Sequence, residues 1–98
     1  MQDLNIQMEE GETGGRAFIE ERRELLAEMT YSKAGDSLII IDHTDVAASM
    51  KGQGVGRLLL DVIVAMIRRQ GKKIIPLCPY AKSVFDKDPS IRDVLQGS

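Results

Sequence analysis

Cysteine and histidine are nearly missing from this sequence: each occurs once, as Cys78 and His43. A single cysteine excludes an internal disulfide, and with only one histidine beside it the chain has no zinc site of its own. An intracellular, cytoplasmic setting is the expectation, because the start Met1-Gln2-Asp3-Leu4, leading to Glu9, Glu10 and Glu12, lacks the basic and apolar regions of a secretion signal. No apolar run approaches the roughly 20 residues needed to cross a membrane. Tryptophan is absent, and Phe18, Tyr31, Tyr80 and Phe85 are the only aromatics. With 13 Lys and Arg against 15 Asp and Glu, the chain has neither the basic excess nor the stacking surface of a nucleic-acid-binding protein.

What is present points to one small binding or catalytic domain spanning the 98 residues. A chain of this size buries roughly 60 to 70% of its unfolded surface around one core. Its charge is uneven: residues 1–50 carry four basic and eleven acidic side chains, and residues 51–98 carry nine and four. The basic half contains Lys51-Gly52-Gln53-Gly54-Val55-Gly56, which runs into an apolar helical stretch, Leu58 to Ile67. Three glycines in five residues let the backbone turn tightly and approach a ligand, while the helix offers unpaired N–H groups and its positive dipole end. That combination suits a phosphate or pyrophosphate.

Elimination narrows the ligand. A nucleoside-triphosphate loop needs Gly-Lys followed by Ser or Thr, whereas Gly56 is followed by Arg57 and Leu58. A dinucleotide fold needs an acid about 20 positions after the glycines, and the next strand ends Ile75-Pro76-Leu77-Cys78. What remains is a phosphate-bearing cofactor held by backbone amides from Gln53 to Arg57, with Lys51 and Arg57 as nearby cations, and coenzyme A fits.

The remaining pattern reads as an α+β fold. Leu4 to Met8 alternates like a half-buried strand, Glu12-Thr13-Gly14-Gly15 supplies a turn, and Arg16 to Glu20 forms a second strand. Glu20 to Met29 has helix propensity, but Ala27, Met29 and Tyr31 alternate with Glu28, Thr30 and Ser32, so a strand fits better, with Glu21 to Glu24 a charged turn. Ala34-Gly35-Asp36 then turns into a fourth strand, Ser37 to Thr44, completing an antiparallel meander. Val55, Leu58, Leu59, Val62, Ile63, Met66 and Ile67 recur at helical spacing, and Gly71 suits a left-handed cap. Lys73 to Leu77 is a fifth strand. Strand, helix, strand in one sheet implies that it pairs in parallel with the fourth through a right-handed crossover, so their carboxyl ends lie together. Pro76, which cannot donate to a ladder, marks where the two strands part or leaves one side free. Ala81 to Phe85 and Ser90 to Leu95 read as short helical segments.

Asp42-His43-Thr44-Asp45-Val46, Lys51-Gly52-Gln53-Gly54-Val55-Gly56 and Ile75-Pro76-Leu77-Cys78-Pro79-Tyr80 together resemble the small acetyltransferase-like branch of the GNAT superfamily of N-acetyltransferases. The likeness spans the whole chain. The superfamily's cofactor loop is Gln or Arg, two residues, Gly, one residue, Gly or Ala; Lys51, Gly54 and Gly56 occupy those places, the lysine being a departure. The resemblance implies that Gly52 to Arg57 binds the pyrophosphate of acetyl-coenzyme A through backbone N–H groups, and that the pantetheine arm lies between the fourth and fifth strands. The pair of helices with which full-length members shape an acceptor pocket is missing, so the amine acceptor is unidentified.

The same resemblance makes His43, Cys78 and Tyr80 the chemical candidates. His43 suits removal of a proton from an ammonium whose ordinary pKa is about 10.4. Cys78, at the end of the neighbouring strand, is expected to meet His43 near the thioester, either accepting the acetyl group in a two-step transfer or walling the site. Tyr80 would protonate the departing thiolate. A rival reading of a different class is a non-catalytic module that binds coenzyme A or an acyl form as a signal and docks a protein partner through its meander.

Overall fold

The computed structural model describes residues 5–97. Five strands form one sheet in chain order: β1 Ile6–Glu10, β2 Gly14–Glu21, β3 Glu24–Lys33, β4 Leu38–Val46 and β5 Lys73–Pro76. The first four are an antiparallel meander, and β5 joins β4 in parallel. The crossover is helix α1, Val55–Gln70; helix α2, Pro79–Lys87, and a 3₁₀ segment, Pro89–Val94, follow β5. This is the mixed α+β arrangement that the sequence pattern implies. Among the described residues no helix is long and apolar enough to cross a membrane.

Local chemistry explains where each element stops. Glu21 pairs with Glu24, so only Arg22 and Arg23 make the β2–β3 turn. Both have positive φ, 51° and 68°, as a tight hairpin twist demands. L-residues pay about 1 to 2 kcal/mol each for that region, so strand pairing on either side outweighs both this cost and the segment's helix propensity. At the other end of α1, Gly71 adopts φ 67°, and Lys72 N–H reaches back to the Ile67 carbonyl at 3.1 Å. These bonds satisfy carbonyls that the helix leaves open.

Several boundaries differ from the sequence reading: β4 runs on to Val46 instead of ending at Thr44, β5 ends at Pro76 instead of Leu77, α2 starts at Pro79, and the first hairpin is shifted. β1 runs later than Leu4–Met8, with Leu4 itself outside the described residues, and Gly14 and Gly15 open β2 instead of forming the turn. The cause is Tyr31. Its ring crosses the backbone of β2 to donate a 2.6 Å hydrogen bond to Glu10 Oε2. Burial, the Glu10 hydrogen bond and the Glu10 charge all push its phenol well above the ordinary range. A Cβ on Gly15 would stand 2.6 Å from Tyr31 Oη and 2.8 Å from its Cζ. Gly15→Ala is therefore expected to cost about 1 to 3 kcal/mol in urea unfolding, as overpacking does. Gly11→Ala, whose Cβ would meet only the Gly14 carbonyl at 4.0 Å, is the near-neutral comparison.

The core lies on one face of the sheet. From α1, Val55, Leu59, Leu60, Ile63, Val64 and Ile67 are buried, a stripe spaced four, one, three, one and three residues apart. Relative to the expected stripe it is rotated: Leu60 and Val64 turn inward, while Leu58 is 39% exposed. These residues share a cluster with Ala27, Met29 and Tyr31 of β3, Ile39 and Ile41 of β4, Phe85 of α2, and Ile91 and Val94 of the 3₁₀ segment. The intervening β3 residues Glu28, Thr30 and Ser32 point to the opposite face, which carries polar side chains. Phe18 is buried outside the cluster, beneath the Arg16 guanidinium at 4.0 Å.

Candidate functional site

The loop before α1 has the conformation that its glycines anticipate. Gly52 and Gly54 sit at φ 81° and 72°, and Gly54 is the N-cap of the helix with no side chain capping it. The first bond of the helix is Leu58 N–H to the Gly54 carbonyl, 3.2 Å, so the amides of Val55, Gly56 and Arg57 precede the ladder. No acid stands in that first turn. Beside it is a cleft of about 400 Å³, lined by Thr44, Asp45 and Val46 of β4, by Met50, Lys51 and Gly52, by Gly54, Val55 and Gly56, and by Tyr80.

The cations differ in availability. Arg57 donates through Nε to Asp61 at 2.8 Å and through a terminal nitrogen to Asp88 at 2.6 Å, and these two carboxylates raise its pKa. Asp88, bonded by the Ser90 hydroxyl and amide as well as by Arg57, is held down to about 2. Arg57 thus ties the start of α1 to the end of α2. Lys51 lines the cleft and has no side-chain partner among the described residues. Gln53 turns its side chain back to the Ser49 carbonyl at 3.2 Å, leaving its backbone as the part available to a ligand.

Tyr80 reaches the cleft because Gly56 has no side chain: a Cβ there would stand 3.0 Å from Tyr80 Cε2 and Cζ. Burial raises the phenol's pKa; Arg57 opposes the shift, while Asp61 and Cys78 add to it. At pH 7 the group is a proton-bearing donor at the mouth of the cleft.

The sheet opens where Pro76 interrupts it. The last β4–β5 pair is Ile41 with Pro76, after which Leu77 and Cys78 N–H both bond the Ile41 carbonyl, at 3.1 and 2.9 Å. Beyond that point β4 continues from Asp42 to Val46 with no strand on its β5 side. The free edge supplies the Thr44–Val46 wall of the cleft.

His43 and Cys78, expected to meet, do not. Pairing shifts between Thr30 and Tyr31, which face His43 and Ile41, so Asp42 is an extra residue in β4; its carboxylate accepts a 2.6 Å bond from Ser32. Beyond this bulge, Thr44 lies opposite the buried Met29 on the helix-covered face, and its hydroxyl is 3.3 Å from Cys78 Sγ. Cys78 is 3% exposed and stands behind Thr44. His43 lies opposite Thr30 on the uncovered face, with Nδ1 3.1 Å from the Thr30 hydroxyl and Nε2 3.8 Å from Glu28 Oε1. Side chains alternate across a pleated strand, so neighbouring backbone positions present the two groups to opposite sides. Sequence reasoning missed Thr44, Asp45 and Glu28. The first two sit beside His43 in the chain, but Glu28 joins them only through the β3–β4 register.

A mixed sheet covered on one face by helices thus parts its strands beside a glycine-lined helix N-terminus. Comparison with known proteins is specific: residues 16–94 match the family described as GCN5-related N-acetyl-transferase, and the chain belongs to that family. A provisionally assigned GCN5-like N-acetyltransferase from Staphylococcus aureus, known from its solution structure, is 37% identical, with a TM-score of 0.75 over 96% of this chain and 91% of that one. The ribosomal-protein-S18-alanine N-acetyltransferase of Escherichia coli shares the fold at 16% identity and a TM-score of 0.64, over 80% of this chain and 53% of that one. No curated protein matches the chain significantly.

Proposed function

We propose that this protein transfers the acetyl group of acetyl-coenzyme A to a primary amine, in the cytoplasm. The observation that carries the reading is one continuous cleft joining the left-handed glycines and free amides at the start of α1 to the unpaired edge of β4. Backbone N–H groups at a helix N-terminus suit the cofactor's pyrophosphate, with Lys51 beside it, and the open edge suits the amide-bearing pantetheine arm. The thioester then lies near Thr44, between His43 on one side of the sheet and Tyr80 on the other. His43 takes one proton from the ammonium; the amine nitrogen attacks the thioester carbonyl; the carbon–sulfur bond breaks; and Tyr80 protonates the leaving thiolate and regains its proton from the nitrogen, which sheds its second one as the amide forms.

Transfer is direct in this reading. The imidazole is on the far face from Cys78, so the cysteine lacks the base that a two-step route needs, and it serves as a wall behind Thr44. The test is release of free thiol from acetyl-coenzyme A. Thiol should appear only with an added primary amine and in equal amount to acetylated product, while intact-mass spectrometry shows protein without an added acetyl group. Tight binding of acetyl-coenzyme A with no thiol released for any amine would refute an enzyme and favour a cofactor-sensing module. A stable acetyl adduct on Cys78 that decays on adding amine would restore the two-step route.

A further inference from the structure

On the uncovered face, Glu28 and His43 confront each other in an arrangement that lacks its central component. Glu28 Oε1 and His43 Nε2 are 3.8 Å apart, too far for a hydrogen bond. Their outer atoms are already engaged. Glu28 Oε2 accepts from Arg16 at 2.9 Å, Arg16 is itself held by Glu9 at 2.8 Å, and His43 Nδ1 lies 3.1 Å from the Thr30 hydroxyl. These contacts fix the carboxylate and the ring with one free atom of each turned toward the other. When Nδ1–H donates to Thr30, Nε2 presents a lone pair to a carboxylate oxygen, and two acceptors face one another.

Glu28 also lies directly opposite Asp45 across the β3–β4 ladder, and like charges so placed are destabilising. Asp45 lines the cofactor cleft, and His43 adjoins Thr44, which lines it too, so the confrontation stands beside the end of the cleft where β4 is unpaired.

We infer that Oε1 of Glu28 and Nε2 of His43 jointly seat the ammonium of the acceptor, which makes Glu28 a specificity-determining residue and the substrate a primary alkylamine bound as its cation. The inference rests on the acetyltransferase reading above. An ammonium donates charge-assisted bonds of about 2.8 Å along tetrahedral directions, so one nitrogen serves two acceptors about 4.6 Å apart, within about 1 Å of the 3.8 Å observed. One N–H bonds the carboxylate, which keeps the nitrogen in place. A second N–H points at Nε2, which takes that proton. The lone pair so freed forms the carbon–nitrogen bond as the carbon–sulfur bond breaks, the nitrogen's second proton passes by way of Tyr80 to the leaving thiolate, and the imidazolium returns its proton to water. An arylamine, neutral at pH 7, has no charge for Glu28 to hold.

The experiment compares a simple alkylamine, a short lysine-containing peptide and an arylamine as acceptors for the wild type, Glu28→Gln, Glu28→Asp and Glu24→Gln, the last altering an exposed carboxylate at the β2–β3 turn. Glu28→Gln is expected to raise KM for both alkyl acceptors at least tenfold and to lower the ratio of alkylamine to arylamine kcat/KM by a similar factor. Glu28→Asp should recover part of that ratio, Glu24→Gln should keep it, and calorimetric affinity for acetyl-coenzyme A should stay within about twofold throughout. Equal losses for alkyl and aryl acceptors in Glu28→Gln, or an unchanged ratio, overturn the inference. Preference for the peptide over the free amine would extend the seat to a protein lysine, and the reverse would make small amines the substrates; either supports it. A wild-type protein that acetylates none of the three refutes the acetyltransferase reading, and this inference with it.

Discussion

Gly54→Val weakens coenzyme A binding by about 30-fold or more, whereas Lys51→Ala weakens it less than about fivefold; that is the expected ranking in calorimetry. Gly54 stands at φ 72°, and no atom lies within 4 Å of where its Cβ would be, so the substitution meets no clash and acts through conformation alone. A β-branched residue in the left-handed region is a severe outlier, and strain of about 1 to 3 kcal/mol is enough to drive the loop out of it. Relaxation turns the amides of Val55, Gly56 and Arg57 away from the cleft. About 2 kcal/mol lost from binding is a factor of about 30. Lys51 supplies one solvent-accessible charge, and such pairs contribute about 1 kcal/mol at most. Helix content of Gly54→Val should persist, because the six buried residues of α1 still pack on the sheet. If the ranking were reversed, cofactor binding would be a matter of charge and not of backbone amides.

The parts of this molecule written in local pattern were legible in its sequence. Helix α1 shows as an apolar stripe with a glycine at each end, and the meander shows as alternation in Ala27 to Ser32, strong enough to override the helix propensity of Glu20 to Met29. The parallel β5 follows from the strand–helix–strand order, and Pro76 marks the opening beside it. Features decided by register were not legible. One extra residue, Asp42, sets which face receives His43 and which receives Thr44, and nothing in the residue types of β4 announces it. The pairing of Glu28 with Arg16 and its approach to His43 depend on contacts across 12 and 15 positions of chain. Gly14 and Gly15 look like turn residues because glycine's conformational freedom is its usual signal. Here they are chosen for lack of a side chain: a Cβ on Gly14 would strike the Tyr31 backbone carbonyl and one on Gly15 the Glu9 carbonyl and the Tyr31 ring, and that need is invisible until the strands are aligned. Arg57 illustrates the same limit for charge: it stands where a phosphate-neighbouring cation is expected, yet Asp61 and Asp88 claim it.

Replacing His43 should lower turnover without loosening the cofactor. His43→Ala is expected to reduce kcat for an alkylamine by about 100-fold, within the range that a positioned general base contributes, while acetyl-coenzyme A affinity changes less than about twofold. The imidazole is on the uncovered face, and it is not among the residues that line the cofactor cleft. The sign of the pH effect gives a stricter check. An alkylammonium with pKa about 10.4 is almost wholly protonated at pH 7, and removal of that proton is the step His43 assists. As pH rises toward 10 the neutral amine becomes abundant on its own, so the deficit of His43→Ala relative to wild type should shrink steadily, and an arylamine should show a small deficit throughout. A deficit that is constant with pH and equal for both amines would mean that His43 organises the sheet through Thr30 and takes no proton. Thr30→Val separates those possibilities further: it removes the Nδ1 partner while keeping the imidazole, so a base oriented by that hydroxyl should lose about tenfold in kcat and retain the pH trend of the wild type.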